Sequence, residues 1–512
     1  MNIGFRVDAS YSVGSGHVMR CLALADALRR RGARCVFVCR ELAGDLVGLI
    51  EERGYDVHTL HAGYGADASI VRSRCEATAD WETDANETVA CLGEHALDWL
   101  VVDHYGLDAR WERSARQSAQ RILAIDDLAD RDHDCDLLLD QNAVAEMETR
   151  YRERIPDRCV ALIGPRYALL HADFTELHER APPREGPVRR IFAFFGGADT
   201  RGLTAMAVEA FSRIGSCDVT LEVVALPGVV GYERIAKAAH LDPRIVVQGR
   251  LPSLATAMLR ADIAIGASGT TTWERCCLGL PSLVVTMAAN QEPIAAELNR
   301  RGIVRWIGDL STTTSNDLQE AMEAVVEAGL DVGWSDRCRA LVDGRGADLV
   351  AALMTVGPGT RLVARHAQLA DEGTYLEWAN DPMTRRNAFS RDRIPSATHR
   401  AWFRTRLRQP ETVKLFVIET ADGLPLGQVR FEREDDEWEI HYSLDQRVRG
   451  RGLGPRLLEV AIETLHQHAR GPIRLRAQVK DDNLASRRIF ESLGFMEFRN
   501  TGRIHEFRRV DG

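Results

Sequence analysis

A chain of 512 residues exceeds one ordinary domain; at about 150 residues each it holds about three. An apolar share of 45% with 27% charged residues excludes a disordered chain. The net charge of −10, from 65 basic and 75 acidic residues, argues against a nucleic-acid partner, because phosphate backbones call for a cationic face. The short run Arg29, Arg30, Arg31 reads as cations solvated at a helix end, where they complement the dipole.

Eleven cysteines, an odd number with no Cys-x-x-Cys and all before residue 340, speak against a disulfide framework. Cys35, Cys39, Cys276 and Cys277 interrupt apolar runs as small buried hydrophobes do. A reducing cytosol is expected. The start shows no secretory signal, and no apolar run reaches the roughly 18–20 residues of a membrane span. The expectation is a cytoplasmic, soluble protein without membrane partners.

In chain order, strands are predicted at 2–10, 35–39, 98–103, 121–126 and 136–140, with an amphipathic helix over 18–31 ended by Gly32. Short β-branched runs separated by helical stretches indicate a parallel, doubly wound sheet. The Pro-rich basic stretch 179–190 reads as an interdomain linker. A second set of strands follows at 191–197, 219–226, 244–249, 261–269 and 281–286. Two Rossmann-like domains in tandem, 1–180 and 187–356, leave a cleft beyond their strand ends as the default site. After VGPG (356–359) the pattern changes. A helical stretch through 377–382, a strand pair over 414–433 turning at Asp422-Gly423, a strand WEIHYSL, a long helix and IRLRAQV form an α+β domain over 360–512.

The loop of DASYSVGSGHVMRCLALADAL (8–28) carries Gly14 and Gly16 and delivers His17 at the start of a helix. Glycines admit a bulky polar ligand, helix N–H groups hold an anion, and an imidazole exchanges a proton near pH 7. It is not a dinucleotide fingerprint, since no third glycine falls at the required spacing. In the second half, ADIAIGASGTTTWE (261–274) places Ser268, Gly269, Thr270 and Thr271 at a turn into a helix, with Glu274 on its first turns. Those donors suit a diphosphate, and a carboxylate there can accept from a ribose diol. Asp8, Asp103 and Asp126 end strands, where cleft-lining and helix-capping are both open.

These segments, with DHYGLD (103–108), IDDLADR (125–131), DQN (140–142), GPRYALL (164–170), FGGAD (195–199) and ANQE (289–292), resemble the PseG-type UDP-sugar hydrolases of pseudaminic acid biosynthesis over residues 1–310. That family is related to MurG-type glycosyltransferases, so the resemblance implies a GT-B arrangement of the two Rossmann-like domains. It further implies release of UDP from UDP-2,4-diacetamido-2,4,6-trideoxy-β-L-altropyranose by water attack at the anomeric carbon with inversion. His17 would be the general base, Glu274 would hold the ribose, and Ser268 to Thr271 the pyrophosphate. Asn290 would lie close to sugar and water, with Gln291 beside it. No metal is required, and no His-Glu-x-x-His cluster is present.

In the last domain, RVRGRGLGPRLLEVAIETL (447–465) is a glycine loop before a helix, with DDNLASRRIFESLGF (481–495) downstream. Successive amides in such a loop wrap a pyrophosphate. The arrangement resembles the GNAT acetyltransferases. It implies acetyl-CoA as co-substrate on the amides of Arg449, Gly450, Arg451, Gly452, Leu453 and Gly454, with Asn483 near the pantetheine arm. Glu432, Glu439 and His441 are candidate bases acting through water, and equally plausible as solvent-facing strand residues. Where many members carry a tyrosine as general acid, this chain has Phe490, so Tyr442, a water or an unassisted thiolate takes that part.

The joint expectation is a bifunctional enzyme that N-acetylates the 4-amino sugar nucleotide, as PseH-type enzymes do, and then hydrolyses it. The rival is a MurG-like glycosyltransferase with an acceptor other than water, fused to a protein or small-molecule N-acetyltransferase. A membrane-facing apolar or basic patch near the first loop would favour it, and the first domain shows no obvious one.

Overall fold

The computed structural model describes residues 1–11, 13–61, 81–93, 97–197, 199, 201–468 and 472–511. Ser12 and Ala198, within two of the motifs above, lie outside them. The chain divides into two units, Met1–Ala351 and Ala352–Gly512, with the division inside the helix Gly346–Thr355.

The first unit contains two parallel sheets. Strands β1 (Asn2–Val7), β2 (Arg34–Arg40), β3 (Asp56–Leu60), β4 (Leu97–Asp103), β5 (Ala119–Ile125), β6 (Leu137–Asp140) and β7 (Val160–Ile163) lie in the order 3-2-1-4-5-6-7. The second sheet orders β8 (Arg190–Phe194), β9 (Thr220–Val224), β10 (Ile245–Gln248), β11 (Ile263–Ala267), β12 (Ser282–Thr286) and β13 (Val304–Asp309) as 10-9-8-11-12-13. Helices cover both faces, so the central strands read as unbroken apolar runs. Ile263 to Ala267 and Ser282 to Thr286 are buried without exception. The strand order reverses between β1 and β4 in one sheet and between β8 and β11 in the other. Ligands of open α/β sheets lie at such crevices, beyond the strands' carboxyl ends. The loops singled out in the sequence follow β1 and β11.

Close approach fixes two details. A Cβ on Gly266 would stand 2.3 Å from the Phe194 carbonyl oxygen and 2.6 Å from an Arg275 nitrogen, so β11 tolerates no side chain there. The stretch 179–190 joins the two sheets but is no slack tether. Arg184, 3% exposed, donates to the carbonyls of Ala261, Met258, Leu259 and Leu278, where two helices end.

The second unit is a mixed sheet of β14 (Leu362–His366), β15 (Val413–Thr420), β16 (Pro425–Glu434), β17 (Glu437–Leu444), β18 (Ile473–Lys480), β19 (Met496–Asn500) and β20 (Ile504–Asp511), ordered 14-15-16-17-18-20-19. All pairs are antiparallel except β17 with β18. That parallel pair holds only from Glu437↔Arg474 to Glu439↔Arg476, after which the two strands part. The gap opens a cavity of about 1050 Å³.

Candidate functional site

In the first unit the β1 loop turns at Gly14, with φ of +85°, and enters the helix Gly16–Arg30. His17 thus sits in the first turn, 7% exposed. Its Nδ1 lies 2.5 Å from Asp103 Oδ1, the last residue of β4. Arg20, one turn along the same helix face, donates to both Asp103 oxygens at 2.6 Å. Arg20 and the imidazole hold the Asp103 carboxyl far below the usual carboxylate range despite its burial. An ionised carboxylate on Nδ1 keeps the proton there and leaves Nε2 as the acceptor. Among the described residues Nε2 makes no hydrogen bond.

Around this dyad, the Tyr105 ring meets His17 edge-on at 4.6 Å, and its hydroxyl donates to Asp127 Oδ2 at 3.2 Å. Asn290, from the second sheet, donates to the same hydroxyl at 3.4 Å. Asp127 Oδ1 is buried with no partner. The first glycine loop faces two loops of the second sheet: a Cβ on Gly16 would come within 3.2 Å of Thr270 Oγ1 after β11, and one on Gly197, after β8, within 3.6 Å of Ser15 Oγ.

The second loop has an unsatisfied interior. Ser268 is 1% exposed and its Oγ has no partner, nor does Glu274 Oε2. Burial pushes the Glu274 carboxyl up to about 7, with Arg275 only partly opposing. The Ser268 amide, expected to face an anion, instead donates to the Val285 carbonyl at 3.2 Å, so its hydroxyl is the group left over. Gln291 is also committed: its Oε1 accepts from the Met287 amide at 2.8 Å. Beneath the loop Arg275, 2% exposed, donates to the Ala267 carbonyl at 2.8 Å and the Thr272 hydroxyl at 2.9 Å.

Of the three strand-end aspartates, only Asp103 reaches His17. Asp8 is tied to Arg6 at 2.6 Å and to the Arg40 amide at 2.7 Å. Asp126 closes its own turn through the Ala129 amide at 2.8 Å and pairs with Arg131 at 2.9 Å. None of the three caps a helix. The sequence reading missed Arg20, Tyr105 and Asp127, although Arg20 stands three residues after His17 and the others lie inside the quoted motifs. It also found no apolar patch near the first loop, yet Tyr11, Val13 and Met19 are 64%, 38% and 37% exposed there.

In the second unit the loop after β17 turns at Gly450 and Gly452, with φ of +72° and +73°, into the helix Gly454–His468. Only glycine takes both angles without strain. Among the described residues the amides of Gly450, Gly452 and Leu453 meet no backbone acceptor. The flanking guanidinium groups are occupied. Arg449 donates to the Leu444 carbonyl at 2.8 Å and pairs with Asp381 at 2.7 Å, and Arg451 donates to the Leu353 carbonyl. The loop therefore offers main-chain donors and not the side chains of those two arginines. Gly450, Gly452, Leu453, Gly454 and Asn483 line the cavity. Asn483 also caps the helix Leu484–Ser492 through the Ser486 amide at 3.2 Å.

Phe490 is 2% exposed and stacked among Phe495, Phe507 and Tyr442. Tyr442 stands beside it on the cavity wall, its hydroxyl 2.8 Å from Ser486 Oγ. Burial raises this phenol to about 12, so it stays protonated at neutral pH. Among the candidate bases, Glu439 is paired with Arg476 at 2.7 Å. Glu432 does not line the cavity, and its Oε1 is buried without a hydrogen-bond partner. His441 does line it, but burial, then Arg430 and Arg476, push its pKa down to about 3. It is a neutral hydrogen-bonding group and a weak proton acceptor.

Comparisons with known proteins agree with this division. The family model "Acetyltransferase (GNAT) domain" matches residues 361–496. The UDP-2,4-diacetamido-2,4,6-trideoxy-beta-L-altropyranose hydrolase of Campylobacter jejuni is 24% identical over 303 residues, covering 59% of this chain and 97% of the relative. The spore coat polysaccharide biosynthesis protein SpsG of Bacillus subtilis is 21% identical over 358 residues, covering 69% and 98%. An uncharacterized protein of Methanocaldococcus jannaschii is 21% identical over 526 residues and covers 99% of both chains. The chain therefore joins a region similar to UDP-sugar hydrolases to a C-terminal GNAT acetyltransferase domain.

Proposed function

We propose that the chain carries out two successive steps on one amino-sugar nucleotide of pseudaminic acid biosynthesis. The C-terminal unit transfers acetyl from acetyl-CoA to the 4-amino group of UDP-4-amino-4,6-dideoxy-N-acetyl-β-L-altrosamine. The neutral amine attacks the thioester carbonyl, the C–S bond breaks, and the thiolate takes a proton from Tyr442, which recovers it through Ser486 and water. Of the candidate bases Glu432, Glu439 and His441, only His441 lines the cavity and it is a weak proton acceptor, so the amine gives up its proton to solvent.

The N-terminal unit hydrolyses the product. Water, held by His17 Nε2, attacks C1 from the face opposite UDP; the C1–O bond breaks with inversion and His17 takes the proton. Amides of Gly269 to Thr271 and the Ser268 hydroxyl receive charge growing on the departing diphosphate. Glu274 takes the ribose hydroxyls, and Asn290 lies beside sugar and water. The observation that carries this reading is the Asp103–His17 dyad at the strand-order reversal, opposite an unsatisfied polar loop.

The purified chain incubated with the amine and acetyl-CoA should yield UDP and the diacetamido sugar, read by chromatography and mass. Absence of both overturns the proposal. A second reading, transfer to a lipid acceptor, draws on exposed Tyr11, Val13 and Met19. It predicts a sugar-lipid product on adding vesicles with a hydroxylated lipid.

A further inference from the structure

The cavity of the second unit is lined by groups of different character. Amides of the Gly450–Gly454 turn line part of it. A polar row on β16 and β17 also lines the cavity, where Gln428 faces Ser443 and Arg430 faces His441 across the ladder. Arg385, His399 and Trp402 are further lining residues.

Several guanidinium groups of this unit are closely matched by carboxylates. Arg365 pairs with Asp371 at 2.7 Å, Arg447 with Asp445 at 2.6 Å, and Arg476 with Glu439 at 2.7 Å. Arg385 and Arg430, which line the cavity, are less fully matched. Arg385 pairs with no carboxylate among the described residues; its one bond goes to the Ser390 carbonyl at 3.3 Å, and its Nε is buried without a partner. Arg430 Nε is likewise buried without a hydrogen bond; its nearest carboxylate, Glu432, stands at 3.4 Å. That carboxylate is shared with Arg406, also at 3.4 Å, and the Arg430 guanidinium lies over the Trp402 ring at 5.2 Å, which fixes its position. Beside them His399 is 2% exposed with both ring nitrogens unpartnered.

A partly buried cation with no carboxylate, or with one carboxylate shared between two arginines, is incompletely compensated. The arrangement is economical once a ligand brings the anion, which guanidinium forks hold in two-point fashion. We propose that Arg385 and Arg430 form an anion seat for the acceptor in this cavity, with His399 as an added hydrogen-bonding group, so that the amine acetylated here carries a phosphate or carboxylate. A polyamine, being cationic throughout, is repelled by the same two residues. The inference rests on the acetyltransferase reading of this unit and assigns its acceptor class.

The test uses the full chain and measures CoA release with three amines: a UDP-linked 4-amino sugar, the same sugar without nucleotide, and spermine. A fourth arm, an amino-sugar acid, separates carboxylate from phosphate. The nucleotide or the acid should be preferred at least tenfold in kcat/KM over the uncharged sugar. Inorganic pyrophosphate should compete with the amine at saturating acetyl-CoA, which occupies the glycine loop. Arg430→Met and Arg385→Met should raise the KM of the anionic amine tenfold or more, leave the uncharged sugar unaffected and keep acetyl-CoA affinity by calorimetry; Arg430→Lys should restore part of the loss. Equal use of spermine, or an unchanged KM in both methionine variants, overturns the seat. If acetyl-CoA does not bind at all, the acetyltransferase reading fails instead; pyrophosphate binding lost in Arg430→Met would still support the seat, and its retention would overturn it.

Discussion

Replacing Asp103 by Asn tests the dyad most directly, because geometry and volume barely change while charge does. In the native site the carboxylate holds the His17 Nδ1 proton and neutralises Arg20 through two bonds of 2.6 Å. With Asn, Arg20 becomes a buried cation without a full counter-charge, 3.2 Å from His17 Nδ1. An amide or guanidinium N–H then donates to Nδ1, the ring proton moves to Nε2, and the water loses its acceptor. General-base assistance is worth about 100- to 10,000-fold, and UDP release should fall by that amount. Stability should fall too, by about 3–5 kcal/mol for one broken buried pair. Steady-state UDP release, UDP affinity by calorimetry and thermal unfolding separate the effects. The expected pattern is lost turnover with UDP affinity kept within threefold, since that loop belongs to the other sheet. Turnover within threefold of the parent, with a folded protein, would refute the dyad; so would a turnover loss that merely follows lost UDP binding.

The remaining expectations are shorter. His17→Ala should stop UDP release and spare acetylation, whereas Gly452→Glu, which forces a side chain onto φ of +73° in the CoA loop, should do the reverse; loss of both activities in either variant contradicts separate sites. Glu274→Gln should weaken UDP binding about tenfold, for one lost charged hydrogen bond, yet raise thermal stability above pH 7. The sign follows from burial: a carboxyl raised from 4.5 to about 7 costs nothing below pH 4.5 and its full penalty above 7, so the gain should vanish by pH 4.5, and a constant gain refutes the cause. Acetyl transfer should climb with pH toward the amine's own pKa without a step near 6.5, because His441 is already neutral; such a step abolished by His441→Asn would overturn this. Tyr442→Phe should slow acetyl transfer about 100-fold or more at unchanged acetyl-CoA affinity, and parent-like rates would assign the thiolate's proton to water.

Much of the scaffold was legible from hydropathy, for a physical reason. Strands buried on both faces, such as β11 and β12, are continuous apolar runs bounded by Gly and Pro, and no other element of that length looks so. The strands that escaped notice are edges or half-covered. All five residues of β19 are exposed, and only its ladder with β20 makes it a strand. β3, β13 and β14 border their sheets and carry too little apolar patterning to stand out. The linker's Pro and charge give no hint of its packing, in which Arg184 uses its charge to satisfy carbonyls at two helix ends.

The site was legible in its residue types and not in its pairings. His17 and the Ser268–Thr271 turn stand out because in each case a glycine-bearing turn follows an apolar strand and opens a helix. That Asp103 and not Asp8 or Asp126 meets His17 depends on which strands adjoin β1, which follows only from the order 3-2-1-4-5-6-7. Similarly, Phe490 announced a missing acid, but only the parting of β17 from β18 shows Tyr442 on the cavity wall beside it.

The choice between water and a larger nucleophile turns on access to one nitrogen. His17 Nδ1 is sealed by Asp103 and Arg20, so any proton must leave through Nε2. The imidazole is 7% exposed, with the Tyr105 ring edge-on against it and Asn290 reaching across from the second sheet to that ring's hydroxyl. A sugar or lipid hydroxyl brings its carbon skeleton with it and would have to part Tyr105 from Asn290, surrendering a hydrogen bond between the two halves of the cleft. Water needs no such opening. Asp127 Oδ1, in the carboxylate whose other oxygen accepts from Tyr105, is a buried acceptor without a donor among the described residues, which suits a small nucleophile with two donors.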